Sequence, residues 1–309
     1  MTQSLTPPIR SQHIWSATPT PFTETFQIDL ESVARMVKHH LRLGVDGLFL
    51  AGTCGEGPWM PNGAKQELIN EVRAHADGRL GLAVQVTDNS AARVLEQIAA
   101  LEGVDYVVVA QPYLAMNATP ASLGRFYQDI LDLSPIPVCY YERGRASVVS
   151  VPDDVLTAVL LHKNLKMVKD SSGDPVRREL LLKAKGLRPD ISLLIGDEFR
   201  CVDYLTAGYD GVMFGGAVLN ARYVMEMMAH LSRNDLTSAK AIERKMTDML
   251  YAIYGGPSIS CWMHGLKTML VRMGIFKTTS SYLDYPLTDE CSSAIDLVLA
   301  TDREFLLPA

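Results

Sequence analysis

A chain of 309 residues, 48% hydrophobic and 21% charged, has the make-up of a soluble globular protein with room for one large domain or a barrel plus an appendage. The net charge of −6 argues against nucleic acid or an anionic membrane as partner. No apolar run is long enough to span a bilayer. Residues 1–12 lack the apolar core of a secretory signal. Cys54, Cys139, Cys201, Cys261 and Cys291 are scattered without a C-x-x-C pair, which reads as free thiols in a reducing, cytoplasmic compartment.

Taken in order, residues 13–22 read as a strand stopped by prolines. Asp29 can cap a helix over 30–43, whose Val33, Met36, Val37 and Leu41 form one stripe, and Gly44 ends it. A buried strand over 47–53 runs into Gly52-Thr53-Cys54-Gly55-Glu56, and a helix over 63–76 follows. The strand 80–87 leads to a helix starting at Asn89 or Ser90 and ending near 101. A β-branched strand, 106–110, ends at Gln111-Pro112-Tyr113. Thr119-Pro120 is an N-cap with proline at the first helical position, opening a helix to 133. Strand five covers 137–142, a helix from Pro152 or Asp153 reaches 161, and the stretch 165–174 is a short buried strand six, holding Lys169, that runs into a polar turn. A helix over 175–185, strand seven over 191–196, a short helix, strand eight over 210–214 and a helix over 220–232 complete the series. Helical patterns continue at 236–254, 261–273 and 289–300.

Eight strand–helix alternations with continuously apolar strands predict an α/β fold, a (β/α)8 TIM barrel over 1–233, with a C-terminal helical domain over 234–309. A doubly wound sheet is the competing topology, and no Gly-x-Gly-x-x-Gly follows the first strand to support it.

In such a barrel, catalytic groups sit at the carboxyl ends of the strands. Strand six places a lysine there. Alternation puts Lys169 on the face of Leu165 and Met167. A lone lysine at a strand end is ordinarily solvated. In a barrel interior, desolvation disfavours the ammonium and favours the free amine that a nucleophile needs. Other strand ends converge on the same rim. The glycine-rich turn at Thr53 and Cys54 is either a simple connection or a cradle of backbone N–H groups for a small carboxylate. Tyr140 is either a buried structural phenol or a proton shuttle beside the amine. Arg143 and Arg145 are either solvated or bind a second carboxylate. Asp170 is expected to support the polar turn. Gly215-Gly216, before a helix, is a candidate anion site of a phosphate-binding barrel. The histidines show no metal-ligand spacing.

Three of these stretches, in order and on the right strands, resemble motifs of the dihydrodipicolinate synthase / N-acetylneuraminate lyase family of class I Schiff-base aldolases. Gly52-Thr53-Cys54-Gly55-Glu56 is similar to its Gly-Thr/Ser-Thr-Gly-Glu loop. Tyr140-Tyr141-Glu142-Arg143-Gly144-Arg145 is similar to its Tyr-Asn-x-Pro-x-Arg stretch, with Tyr140 aligned to the catalytic tyrosine. Val168-Lys169-Asp170-Ser171-Ser172-Gly173 is similar to its lysine motif. The resemblance implies a lyase, an aldolase or dehydratase, that acts on pyruvate or a pyruvate-derived 2-oxo acid through a covalent imine at Lys169, with no separate cofactor. It further implies that Tyr140 shuttles protons and that Gly52, Thr53, Cys54, Arg145, Gly196 and Met213 bind substrate. A homo-oligomer, dimer or tetramer, is implied too. Cys54 replaces a hydroxyl, Leu114 replaces a second aromatic after strand four, and Glu142 and Arg143 should make the pocket mouth unusually charged. Pro112-Tyr113-Leu114 looks more like the keto-deoxy-sugar-acid dehydratases, whereas Arg145 matches the synthase. The synthase proper and a non-catalytic 2-oxo-acid-binding barrel are the alternative readings.

Overall fold

Each apolar run is too short to stand alone, and each finds the next run in the chain as its parallel neighbour. The strands are β1 (His13–Ala17), β2 (Gly47–Leu50), β3 (Gly81–Gln85), β4 (Tyr106–Val109), β5 (Val138–Glu142), β6 (Leu165–Asp170), β7 (Ser192–Ile195) and β8 (Gly211–Phe214). They close into a barrel in sequence order, with β8 pairing back onto β1. The computed structural model describes residues 13–116, 118–144 and 147–308. Arg145 lies outside the described residues.

The helices α1 (Leu30–Leu43), α2 (Asn62–Ala76), α3 (Ala91–Ala99), α4 (Pro120–Leu133), α5 (Asp153–Leu161), α6 (Pro175–Leu187), α7 (Cys201–Ala207) and α8 (Ala217–Ser232) each return the chain to the next strand. Their starts follow the local chemistry. The Asp29, Ser90 and Thr119 side chains accept hydrogen bonds from the N–H groups of Ser32, Arg93 and Ser122. β1 stops at Ala17 rather than at residue 22, because Pro19 and Pro21 cannot donate to a ladder. Helix α8 begins at Ala217 rather than at Asn220.

Beyond the barrel come α9 (Leu236–Tyr254), α10 (Trp262–Arg272), α11 (Asp289–Thr301) and the short α12 (Arg303–Leu306), which periodicity did not indicate. Helix α9 packs on α8, α10 and α11 pack on α9, and α12 returns to α8. Buried residues of these helices, such as Met246, Leu250, Leu266 and Ile295, join the same apolar core as the outer faces of the strands. No described helix is long and apolar enough to cross a membrane.

Alternation along the strands sorts side chains into two cores. Trp15, Phe49, Val108, Cys139, Tyr141, Met167, Leu194 and Met213 fill the barrel interior. Leu48, Val107, Val138, Tyr140, Val168, Leu193 and Val212 face the helices. Leu165 belongs with this outer set, not with Met167. The register between β5 and β6 slips after Val138, so Cys139 pairs with Met167 and Lys166 is the extra residue. Such a bulge reverses side-chain parity at one point. Lys169 and Met167 keep their common inward face.

Two histidines of α1 are buried in this outer layer. His40 hydrogen-bonds Ser16 Oγ at 2.8 Å and the Met36 carbonyl at 2.8 Å, and His39 hydrogen-bonds the Val218 carbonyl at 2.7 Å. Burial, with the neighbouring His39 next, pushes the His40 ring down to about 3, and burial brings His39 to about 4. The unfolded chain takes up these protons near the ordinary value of 6.5, so folding loses stability as pH falls below it. Glu198, pushed up to about 7 by burial, works the other way between its ordinary 4.5 and 7. The two rings outweigh the one carboxyl. The net unfolding free energy should fall by about 2–3 kcal/mol between about pH 6 and about pH 4 from these groups. Urea midpoints at the two pH values measure it, and a higher midpoint at about pH 4 than at about pH 6 would show that the rings are charged in the fold.

Candidate active site

The inward side chain of Lys169 ends the β6 ladder at the carboxyl rim. Its Nζ lies 4.4 Å from the Tyr141 ring centroid and 5.0 Å from that of Phe49, and the residue is 6% exposed. Among the described residues no carboxylate is within ion-pair distance of it. Aromatic faces tolerate a cation and equally surround a neutral amine without a counter-charge.

Tyr141 pairs with Lys169 in register across β5 and β6. The side-chain hydroxyls of Ser171 and Thr53 lie beside its own. Burial pushes this phenol up, but the Lys169 charge, the two hydroxyls and Arg143 outweigh it and hold the phenol below the ordinary tyrosine value. That is the setting of a proton carrier next to an amine.

Tyr140 was expected in this place. The structure turns it the other way. It is 1% exposed in the outer core, its ring edge-on to Tyr127 at 5.5 Å, and its hydroxyl donates to Glu142 Oε2 at 3.2 Å. Burial, with Tyr127 and Glu142 beside it, pushes this phenol well up. Adjacent strand residues face opposite ways, so only one of the two tyrosines can meet the lysine. Two neighbouring tyrosines gave no sign of which it would be.

The same parity separates Glu142 from Arg143, which were expected to share the mouth. Glu142 is fully buried behind the sheet, where it accepts from Gly144 N at 2.6 Å and Gln111 Nε2 at 3.3 Å. Arg143 is exposed at the mouth of a cleft of about 230 Å³ that Thr53, Trp59, Gln111, Tyr113 and Val149 also line. Gln85 holds the Tyr113 hydroxyl at 2.9 Å, and Leu114 beyond it is exposed.

The turn after β2 is forced by its glycines. A Cβ on Gly57 would lie 1.8 Å from the Ala51 carbonyl oxygen, and one on Gly55 would lie 2.9 Å from Ala51 N and Thr18 O. Ala51 and Glu56 bracket the turn with φ of 52° and 57°, and Thr20 Oγ1 ties down the Gly55 carbonyl at 2.6 Å. Thr53 is half-buried with its hydroxyl beside that of Tyr141. Gly52 backs onto the Phe49 ring. Cys54 is buried with its sulfur against Gly215, and burial, with Glu198 next, pushes its thiol up to about 12. The thiol therefore stays protonated and packs behind the turn.

Gly196 sits directly over the amine, since a Cβ there would be 2.9 Å from Lys169 Cε and 2.0 Å from Ser171 Oγ. Met213 is fully buried in the barrel interior. Asp170 accepts from the Tyr209 hydroxyl at 2.6 Å and from Ser172 N at 2.9 Å, a supporting role for the turn. The anion-site reading of Gly215-Gly216 does not survive, because Gly216 N already donates to Glu198 Oε2 at 2.7 Å. Among the described residues no group of three or more His, Cys, Asp or Glu is placed to hold a metal ion. Tyr141, Ser171 and Glu198 complete the rim. Ser171 stands in the lysine stretch that the sequence marked, and Glu198 follows strand seven, without a signal for either role.

An unpaired amine between aromatic faces at the carboxyl rim of a closed (β/α)8 barrel, with a phenol and a glycine-bound turn beside it, is the arrangement of a class I, Schiff-base-forming lyase. A sequence model of the dihydrodipicolinate synthetase family matches residues 10–294, and the chain belongs to that family. It is 29% identical over 77% of its length to the 4-hydroxy-tetrahydrodipicolinate synthase of Kosmotoga olearia, of which it covers 82%. It superposes on the dihydrodipicolinate synthase of Thermotoga maritima with a TM-score of 0.83 at 23% identity, covering 94% of this chain and 97% of that one. A prophage protein of the same family from E. coli K12, solved in complex with pyruvate, gives a TM-score of 0.80 at 19% identity over 94% and 98% of the two chains.

Proposed function

We propose that Lys169 forms an imine with the keto carbon of pyruvate or a pyruvate-derived 2-oxo acid, and that the enzyme is an aldolase or dehydratase on such a substrate. The observation that carries this reading is the placing of Lys169 Nζ between Tyr141 and Phe49, with the Thr53 hydroxyl beside that of Tyr141. The substrate carboxylate lies on the N–H groups of the Thr53–Cys54 turn. The amine adds to the keto carbon, and Tyr141 delivers the proton that lets the oxygen leave as water. The protonated imine is then an electron sink, so the adjacent carbon loses a proton or breaks its bond to the next carbon. Tyr141, a more acidic phenol than usual, and Thr53 carry that proton to and from the rim.

Arg143, exposed at the cleft mouth beside Tyr113, supports a substrate with a second anionic group at its far end. Leu114, where the synthase-type motif has a phenol, favours a sugar-acid-type substrate over the condensation that the curated relatives are named for. Exposed Leu114 and Met116, which line a second cleft with Asn89 and Arg125, are surface that a homo-oligomer would cover, and we read the enzyme as a cytoplasmic one.

The test is incubation with pyruvate and a panel of longer 2-oxo acids, mono- and dianionic, in the presence of borohydride, followed by peptide mapping. We expect a reduced adduct on Lys169 and none in a folded Lys169→Met variant. An adduct on a different lysine, or none with any acid of the panel, overturns the reading.

A further inference from the structure

Glu56 closes the glycine-rich turn, and neither the imine chemistry nor the barrel itself uses its charge. Its carboxylate is fully buried and meets Lys267 Nζ of α10 at 2.5 Å, with neither side chain exposed. The second carboxylate oxygen accepts from Ser281 Oγ at 2.9 Å and from Tyr282 N at 2.6 Å. Lys267 also donates to the Ser280 carbonyl at 2.6 Å and lies 4.6 Å over the Phe22 ring, which Tyr282 meets edge-on at 5.2 Å. Among the described residues, every group that holds the Glu56 carboxylate thus comes from the C-terminal helices and the segment after α10.

A buried ion pair is a costly way to gain stability, because an apolar pair of the same size does as well or better. Its use here follows from what Glu56 is attached to. The residue holds a left-handed φ of 57°, which a side chain disfavours, and its N–H donates to the Thr53 carbonyl at 3.1 Å. Fixing the carboxylate fixes the orientation of the Thr53 peptide, and the Thr53 hydroxyl lies beside that of Tyr141. A line of neighbours therefore runs from Lys267 through Glu56 and Thr53 to Tyr141 and Lys169.

We infer that Glu56 and Lys267 are positioning residues, through which the C-terminal helices set the geometry of the turn that holds the substrate carboxylate. The inference rests on the imine reading above. Without the pair, the turn relaxes from its left-handed bracket, the carboxylate cradle opens, and the Thr53 hydroxyl drifts from Tyr141.

In Lys267→Met and in Glu56→Gln, the half-saturating pyruvate concentration for borohydride trapping on Lys169 should rise on the order of 100-fold, the size expected of an ångström-scale misplacement. The alkaline limb of the pH profile, set by Tyr141, should move upward as the phenol loses Thr53. Lys267→Arg, which keeps the charge, should recover most of the affinity. Ile295→Ala is the stability control. It removes fully buried volume from α11 without touching the turn, and should lower the melting temperature while leaving half-saturation unchanged. Should Lys267→Met fail to fold, Glu56→Gln carries the measurement, since an amide keeps the shape and the acceptor for Tyr282 N. Wild-type half-saturation in either folded variant, or an equal loss in Ile295→Ala at matched melting temperature, overturns the inference. If the wild-type protein itself traps no 2-oxo acid, the imine reading falls first and this one falls with it.

Discussion

Tyr141→Phe should lower kcat by roughly 10²- to 10³-fold, the usual worth of a positioned proton carrier, while Tyr140→Phe leaves kcat within about threefold. The two variants remove the same atom from adjacent residues, so any difference reports only which way each ring points. Tyr141 presents its hydroxyl to Ser171 and Thr53 above the Lys169 amine. Tyr140 spends its hydroxyl on Glu142 in the outer core. Losing that bond should cost about 1 kcal/mol of stability. Steady-state turnover, or the rate of adduct formation under borohydride, separates the pair. In the wild type, activity should fail on the alkaline side below the ordinary tyrosine range, since Lys169 and the hydroxyls hold the Tyr141 phenol down. A dead Tyr140→Phe and an active Tyr141→Phe would reverse the assignment.

The largest effect on stability is expected at Arg177, a fully buried arginine of α6. It donates to the Val151 carbonyl and to Asp153 Oδ1 at 3.0 Å, and its Nε is 3.9 Å from Glu142 Oε2. Arg177→Met should cost about 3 kcal/mol, because it leaves the Glu142 carboxyl buried without its cation and the Val151 carbonyl without a donor. Burial already pushes the Glu142 carboxyl up, and loss of the guanidinium would push it further. Adding Glu142→Gln to that background should recover part of the loss, since an amide needs no counter-charge. Urea denaturation of the single and double variants measures both steps. An Arg177→Met protein as stable as the wild type would show that the guanidinium is dispensable to the network behind β5.

Much of the molecule is legible in the chain. The strands are apolar on both faces, the helices carry one apolar stripe and begin at Asp29, Ser90 and Thr119, and eight such pairs leave few topologies open. Lys169 and the turn at Thr53 could be marked because a lysine in an apolar strand and a cluster of glycines are unusual wherever they occur. These are local properties, and local sequence carries them.

Parity and partnership are different. Tyr140 and Tyr141 are the same residue type, so the choice between them depends on the pairing register, and a slip at Val138 beside β6 also sends Leu165 outward while Lys169 stays within. Along β5 itself the alternation is unbroken, Cys139 and Tyr141 inward and Val138 and Tyr140 outward, which is why Glu142 ended behind the sheet and Arg143 at the mouth. The partner of Glu56 was equally out of reach, because nothing near Glu56 in sequence says that Lys267 and Tyr282 will close on it. By itself the sequence determined the (β/α)8 barrel, the lysine and the turn. Only the tertiary structure decided which tyrosine faces the lysine and what holds the turn. Backbone periodicity is written residue by residue, whereas strand register and buried charge pairs exist only once distant segments have packed.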